Sequence, residues 1–251
     1  MDPPTFLLLL LCVGITVSSA VDLQKRIYGG RDCEQDERKY HVQVISEGVD
    51  GQQYRCGGSL ISDQWILTAA HCENNTMYAV LGVNQGPQPE VKIVEKILYK
   101  DFDVMFLKLP ESTTYPIISL PSTAGCQKLA KGESVEVAGF GWCKADKKTK
   151  LKVPSTPDKL QCVELKVAKC PFGKMEKTFF GVETDRLFCG TGPGKDTGPG
   201  DSGGGVVYKK MLYGVVMGGD DYVCNSPPIF IDICAFLNKH PDFVKNHNIP
   251  N

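Results

Sequence analysis

Short runs of apolar residues cut by Gly, Pro and Asn, rather than long helical stripes, dominate the chain after its first twenty positions. Val42–Ile45, Trp65–Thr68, Val104–Leu109, Val135–Ala138 and Leu212–Met217 are each four to six residues long, the length and boundary chemistry of β-strands. Helical periodicity is nearly absent. Only Phe236 to Val244 places apolar residues at 236, 237, 243 and 244, and Pro241 interrupts it. A proline inside a helical pattern removes an N–H and clashes with the preceding turn, so the pattern predicts a short, broken terminal helix. Many short strands without an internal repeat or a low-complexity stretch point to an all-β fold of the barrel or sandwich kind.

The first segment follows a different pattern. Phe6 to Val17 is an apolar run of twelve residues containing five consecutive leucines, followed by Ser18-Ser19-Ala20. A membrane span needs roughly 20 helical residues, whereas the run and its small residues suit a signal peptide cut after Ala20. The five residues before the run carry no basic side chain, which departs from that pattern. The expectation is a signal peptide over 1–20 and a secreted, extracellular product. No later run is long and apolar enough to cross a bilayer, so no membrane partner is expected.

Charge excludes further classes. The 251 residues carry 28 Lys and Arg against 29 Asp and Glu, a net charge of −1, which supplies no field for binding nucleic acid or an anionic membrane. At 42% hydrophobic residues the chain can fill the core of one large domain or two small ones. Of 11 cysteines, Cys12 leaves with the signal and ten remain. No Cys-x-x-Cys pair occurs, and the histidines at 41, 71, 240 and 247 lack zinc-ligand spacing. In an exported chain an even set of thiols reads as disulfides. No metal and no cofactor are expected.

Three local patterns carry chemistry, in a fixed order. They are Leu67-Thr68-Ala69-Ala70-His71-Cys72, then Asp103-Val104-Met105-Phe106-Leu107-Lys108-Leu109, then Gly198-Pro199-Gly200-Asp201-Ser202-Gly203-Gly204. Singly, a histidine is usually a surface or core residue, an acid before a strand is usually a turn former, and a glycine-rich segment is usually a loop. Together they supply what a serine nucleophile needs. A hydroxyl attacks poorly until a base takes its proton, and an imidazole base needs an acid on its far nitrogen to fix its tautomer.

These patterns, with Ile27-Tyr28-Gly29-Gly30, Cys56-Gly57-Gly58-Ser59-Leu60-Ile61 and Gly139-Phe140-Gly141-Trp142, resemble the chymotrypsin/trypsin family of secreted serine proteases from Ile27 to Asn251. The resemblance implies two six-stranded antiparallel β-barrels with a short C-terminal helix, the boundary between barrels falling near 115–125. It assigns Ser202 as nucleophile, His71 as general base and acid, and Asp103 as the group that orients His71. The amides of Gly200 and Ser202 would form the oxyanion hole. Residues 21–26 would be an activation propeptide cut between Arg26 and Ile27, freeing an ammonium that pairs with Asp201. By family position Cys33 pairs with Cys162, Cys56 with Cys72, Cys126 with Cys234 and Cys170 with Cys189. Val135 and Tyr208 stand where the family has a further bonded pair.

The specificity pocket is where the pattern frays. Asp196 stands at the pocket floor of Arg- and Lys-cleaving members, with Gly219 and Pro228 on the walls. Yet Gly198 replaces a bracing cysteine, Pro228 a wall glycine, Met217 and Gly218 a Ser-Trp pair, and Pro199 a longer residue. The remaining Cys143 and Cys224 flank this pocket, and a Cys143–Cys224 bridge is expected to replace the lost brace. Asn74-Asn75-Thr76 is a sequon for glycosylation at Asn74. The stretch Gly82 to Asp103 is too short and too poor in paired acids for a calcium loop. The expected function is a zymogen of a serine endopeptidase cleaving after Arg or Lys. It would act as a monomer on protein or peptide substrates, with an activating protease and protein inhibitors as partners. The rival reading is a catalytically silent homologue acting as a binding module.

Overall fold

The computed structural model describes residues 27–249 apart from 86–87, 123–125 and 174–175. The expected signal peptide and residues 21–26 of the propeptide, Arg26 included, lie outside the described residues. The first strands are β1 (Arg31–Asp32), β2 (His41–Glu47), β3 (Gln53–Leu60), β4 (Trp65–Ala69), β5 (Thr76–Val80), β6 (Glu90–Lys92), β7 (Glu95–Tyr99) and β8 (Val104–Lys108). Then come β9 (Ser134–Gly139), β10 (Lys144–Ala145), β11 (Lys152–Val153), β12 (Gln161–Ala168), β13 (Thr178–Phe179), β14 (Val182–Glu183), β15 (Leu187–Thr191), β16 (Gly205–Tyr208), β17 (Met211–Gly218) and β18 (Ile229–Asp232). Each of the five sequence-predicted runs falls in one of these strands, apart from Leu109, which follows β8.

Two antiparallel sheets result. The second, ordered β12-β15-β18-β17-β16-β9, closes because β9 also pairs with β12, and β1 adds to the outside of β12. That closure makes a six-stranded barrel without edges. The first sheet, ordered β6-β5-β2-β3-β4-β8-β7, curls without a closing ladder. Its two edges are consecutive in the chain, and the N–H groups of Ile93 and Val94 between them donate to Met77 O and Lys108 O at 3.0 and 3.1 Å. Counting β6 and β7 as one bent strand recovers the expected six.

Burial explains the strands. Val104 to Leu107 of β8 are all fully buried, as expected for a strand covered on both faces. Ile27, Val135, Val137, Val163, Leu165, Val206 and Phe230 fill the second barrel. Tyr208 packs on the same cluster, so apolar contact occupies the place where the family has a bridge. The terminal helix is broken as its sequence predicts, into α1 (Ile233–Lys239) and α2 (Phe243–Asn246). Asp232 caps α1 by accepting from the N–H groups of Cys234 and Ala235. Phe243 of α2 packs at a tilt against Phe106 of β8 with centroids 4.0 Å apart, tying α2 to the first barrel.

Candidate active site

Strand register brings the first two chemical residues together. Ala69 of β4 faces Val104 of β8, so the residues just beyond one strand and just before the other meet at the same end of the sheet. His71 lies in the 3-10 turn after β4, and Asp103 precedes β8 with φ 55°, a conformation that aspartate tolerates. The buried Asp103 carboxylate accepts from His71 twice, Oδ1 from the backbone N–H at 2.7 Å and Oδ2 from Nδ1 at 2.7 Å. The second bond leaves Nε2 of the half-exposed ring as the outward nitrogen.

Ser202 comes from the second barrel, in the turn before β16, and glycine makes the approach feasible. Gly203 has φ 80°, and a Cβ there would lie 2.2 Å from Thr68 Oγ1 and 2.4 Å from Gly57 O. With no side chain, the Ser202 turn docks on β3 and β4, and Ser202 O accepts from the Gly57 N–H at 2.7 Å. Thr68, three residues before His71, donates to Gly57 O at 2.7 Å and steadies the same spot. Among the described residues the hydrogen bonds to the His71 ring come from Asp103 alone, and Ser202 is brought to the junction by its backbone. A nucleophile–base contact often tightens only when substrate binds.

One peptide sets the direction of the Gly200 N–H. Pro199 O accepts from the Trp142 N–H at 2.8 Å, and a trans peptide points its N–H opposite to its C=O. The Gly200 N–H therefore faces away from Trp142, with Gly200 at φ 98°, a region glycine enters without penalty. Neither the Gly200 nor the Ser202 N–H donates to a protein acceptor among the described residues. Both donors are uncommitted.

Asp201, the intervening residue, points inward. Its fully buried carboxylate accepts from the N–H groups of Gly141 at 2.7 Å and Gly198 at 2.8 Å. Burial pushes its pKa up to about 6 despite those bonds. Ile27 is fully buried in the second barrel at φ 34°, an unfavourable backbone for a β-branched residue. The Tyr28 carbonyl accepts from the Asp196 N–H at 3.1 Å, so the segment following Arg26 is already seated beside the pocket.

The candidate specificity pocket holds a residue that sequence reasoning missed. Asp196 is fully buried, and its Oδ2 pairs with Lys152 Nζ at 3.0 Å. Lys152 is 5% exposed, and Nζ also donates to Asp220 O at 2.6 Å. The Asp196 carboxylate accepts further from the N–H groups of Thr197 and Cys224, both at 2.8 Å. Burial raises its pKa, while the Cys224 N–H and the Lys152 charge act in the opposite direction. Pro228 is buried, and its Cα lies 3.8 Å from a Cβ built on Gly219, which places both on the same wall. A cavity of about 170 Å³ remains between Lys152, Thr197, Gly198, Pro199, Val216, Gly219 and Ser202. Nothing in a lysine flanked by Leu151 and Val153 in a polar loop signalled burial beforehand.

One expectation is corrected. Cys143 carries a buried free thiol directed at Ser155 O, 3.6 Å away, so it makes no bridge to Cys224. The Cys224 sulfur faces Lys195 O at 3.8 Å instead. The lost brace has its own cause: a Cβ on Gly198 would lie 2.2 Å from Trp142 O, leaving no room for a cysteine. The other four bridges, Cys33–Cys162, Cys56–Cys72, Cys126–Cys234 and Cys170–Cys189, are all formed. A grouping of Cys33, Glu37 and Cys162 has metal-like spacing, but both sulfurs belong to a disulfide. Asn74 lies just before β5, partly exposed, with its backbone O accepting from Lys96 Nζ at 2.7 Å.

One closed barrel, one curled barrel and a His, Asp and Ser set at their junction define the architecture of a double-barrel serine protease. The chain belongs to the trypsin family: the Trypsin family profile matches residues 27–239. It is 32% identical to trypsin of Xenopus laevis over 251 aligned residues, covering 91% of this chain and 94% of that protein. It is 28% identical to human kallikrein-8, covering 93% and 92% respectively. A solved structure titled "Structure of GrC" superposes with a TM-score of 0.70 at 24% identity, over 86% of this chain and 99% of that one, and attests the fold.

Proposed function

We propose that the protein is a secreted serine endopeptidase, made as a zymogen, that hydrolyses peptide bonds of protein substrates through an acyl-enzyme on Ser202. The observation that carries this reading is the doubly bonded Asp103–His71 pair at the end of β4, the strand against which a serine turn with two uncommitted N–H donors docks. Ser202 Oγ attacks the scissile carbonyl while His71 Nε2 takes its proton. Asp103 holds the tautomer and stabilises the imidazolium. The amides of Gly200 and Ser202 receive the developing oxyanion, each worth roughly 3–4 kcal/mol. His71 then protonates the leaving amine, and water releases the acyl group by the reverse sequence.

Activation follows from Asp201. A buried carboxylate whose pKa is raised to about 6 is costly to ionise alone. Cleavage after Arg26 would supply an ammonium on Ile27 and release the constraint on its φ. Export is supported by the four disulfides. The rival, a silent homologue that binds without cutting, draws on the occupied specificity pocket. A fluorophosphonate probe separates them. Covalent labelling of Ser202 in protein whose amino terminus reads Ile27-Tyr28-Gly29-Gly30 is expected of the enzyme, and failure to label such protein supports the binding module.

A further inference from the structure

A trypsin-like pocket selects Arg or Lys because a carboxylate waits at its floor for a cation. Here that carboxylate is occupied. Asp196 accepts from Lys152, Thr197 and Cys224, and Lys152 is 5% exposed. The lysine is not a loose insertion. Its hairpin pairs β10 with β11, Lys144 facing Val153 and Ala145 facing Lys152. Asp146 Oδ1 closes the tip by accepting from the N–H groups of Lys148 and Thr149 at 3.0 and 2.7 Å. The far side of the hairpin is stitched to the pocket rim. Lys152 N–H donates to Asp221 O and Val223 N–H to Lys150 O, both at 2.9 Å, and Leu151 bridges Tyr222. Moving the hairpin off the rim would break this backbone ladder, and withdrawing the Lys152 ammonium would leave Asp196 buried without its cation, a change costing several kcal/mol.

We propose that Lys152 sets the substrate preference of this site: by occupying the pocket floor and neutralising Asp196 it excludes Arg and Lys and leaves a subsite for uncharged side chains at P1. This rests on the endopeptidase reading above. Three considerations fix the class. A cationic P1 chain would meet the Lys152 ammonium, and like charges in a desolvated pocket repel strongly. An anionic P1 chain gains little, because Lys152 is already paired and Asp220 and Asp221 line the same cavity. The remaining space, about 170 Å³ beside Ser202, admits a side chain that needs no ionic partner at the floor.

The experiment profiles activated protein, titrated with a fluorophosphonate, on fluorogenic peptides that differ only at P1. The wild type is expected to favour uncharged P1 residues, Ala, Ser and Val among them, over Arg and Lys by about tenfold or more in kcat/KM. K152A is expected to raise kcat/KM for Arg and Lys by about a hundredfold relative to Ala. If K152A does not fold, K152S/D196S removes both charges and should move the preference to large uncharged P1 residues such as Leu and Phe. p-Aminobenzamidine fluorescence reads the pocket without turnover: the wild type should not bind it and K152A should. A wild type that prefers Arg, Lys, Asp or Glu overturns the proposal, as does wild-type binding of the amidine or a K152S/D196S profile unchanged from wild type. Absence of fluorophosphonate labelling counts against the endopeptidase reading alone, and the amidine result then decides the pocket.

Discussion

The catalytic junction and the specificity pocket share the segment from Asp196 to Gly204, yet they are built in opposite ways. At the junction, donors and acceptors are held ready for a guest: Asp103 is committed to His71 while the Gly200 and Ser202 amides wait. In the pocket the guest's place is taken, because Lys152 meets the Asp196 charge that a substrate would otherwise answer. On the proposed reading the same backbone serves a preorganised reaction site and a self-satisfied binding site. Chemistry and selectivity can diverge separately on one loop, since the first depends on backbone direction and the second on which side chain reaches the floor.

The largest expected effect tests the junction. Ser202→Ala and His71→Ala should each lower kcat by about 10⁴-fold or more, because the triad acts as a unit. Single-turnover kinetics on a peptide the wild type cleaves would check this. Near-normal turnover in either variant breaks the assignment. Somewhat smaller is the effect of activation. An Arg26→Gln precursor should stay about 10³-fold less active than protein cut after Arg26, because an ionised Asp201 buried without a cationic partner destabilises the turn that carries the Gly200 and Ser202 amides. Sequencing the amino terminus of active material decides it, and full activity in uncut protein would refute the coupling.

How much of this was legible in the sequence divides along the same line. The meeting of His71 with Asp103 and the glycine-lined turn of Ser202 were legible because local patterns mark them: a cysteine neighbour, a following apolar strand and flanking glycines. Gly203 is such a case, since only glycine clears Thr68 and Gly57. The four formed disulfides followed from family position. Lys152 was illegible because its burial arises from long-range pairing between a hairpin at 144–153 and the rim at 221–223. The Cys143–Cys224 bridge failed for the same kind of reason. Both cysteines flank the pocket, but their sulfurs face the carbonyls of Ser155 and Lys195. The bent strand spanning β6 and β7 was likewise hidden, because no turn residue marks the step at Ile93 and Val94.

The disulfide beside His71 offers a sharper separation of the two regions. Cys56–Cys72 closes a loop with sequence separation 16, for which the loop-entropy treatment gives about 3 kcal/mol. C56A/C72A should lose about that much stability to urea and lower kcat, because Cys72 follows His71 directly. The order of preference among P1 residues should stay unchanged, since no part of this loop lines the pocket. A shifted P1 profile in C56A/C72A would show that the junction and the pocket are one unit after all.

The smallest effect is a tilt in stability with pH that distinguishes cut from uncut protein. His41 is buried, and burial together with Arg38 lowers its pKa to about 4 from an ordinary 6.5. The unfolded chain therefore binds this proton first, and stability is lost as pH falls from about 6.5 to 4. Asp201 behaves in the opposite sense. Its pKa in the folded chain is about 6 against an ordinary 3.8, so the folded state binds the proton first and stability is lost as pH rises from about 4 to 6. In the uncut chain the two slopes, each at most about 1.4 kcal/mol per pH unit, oppose one another over the same window. Once an Ile27 ammonium pairs with Asp201, the carboxylate stays ionised and its slope disappears, while that of His41 remains. Urea midpoints measured at pH 4, 5 and 6 should therefore rise with pH more steeply for cut than for uncut protein. Other groups cancel in that difference. The His41→Asn variant should tilt the uncut protein downward with rising pH. Identical slopes for cut and uncut protein would mean that Asp201 gains no charged partner on cleavage.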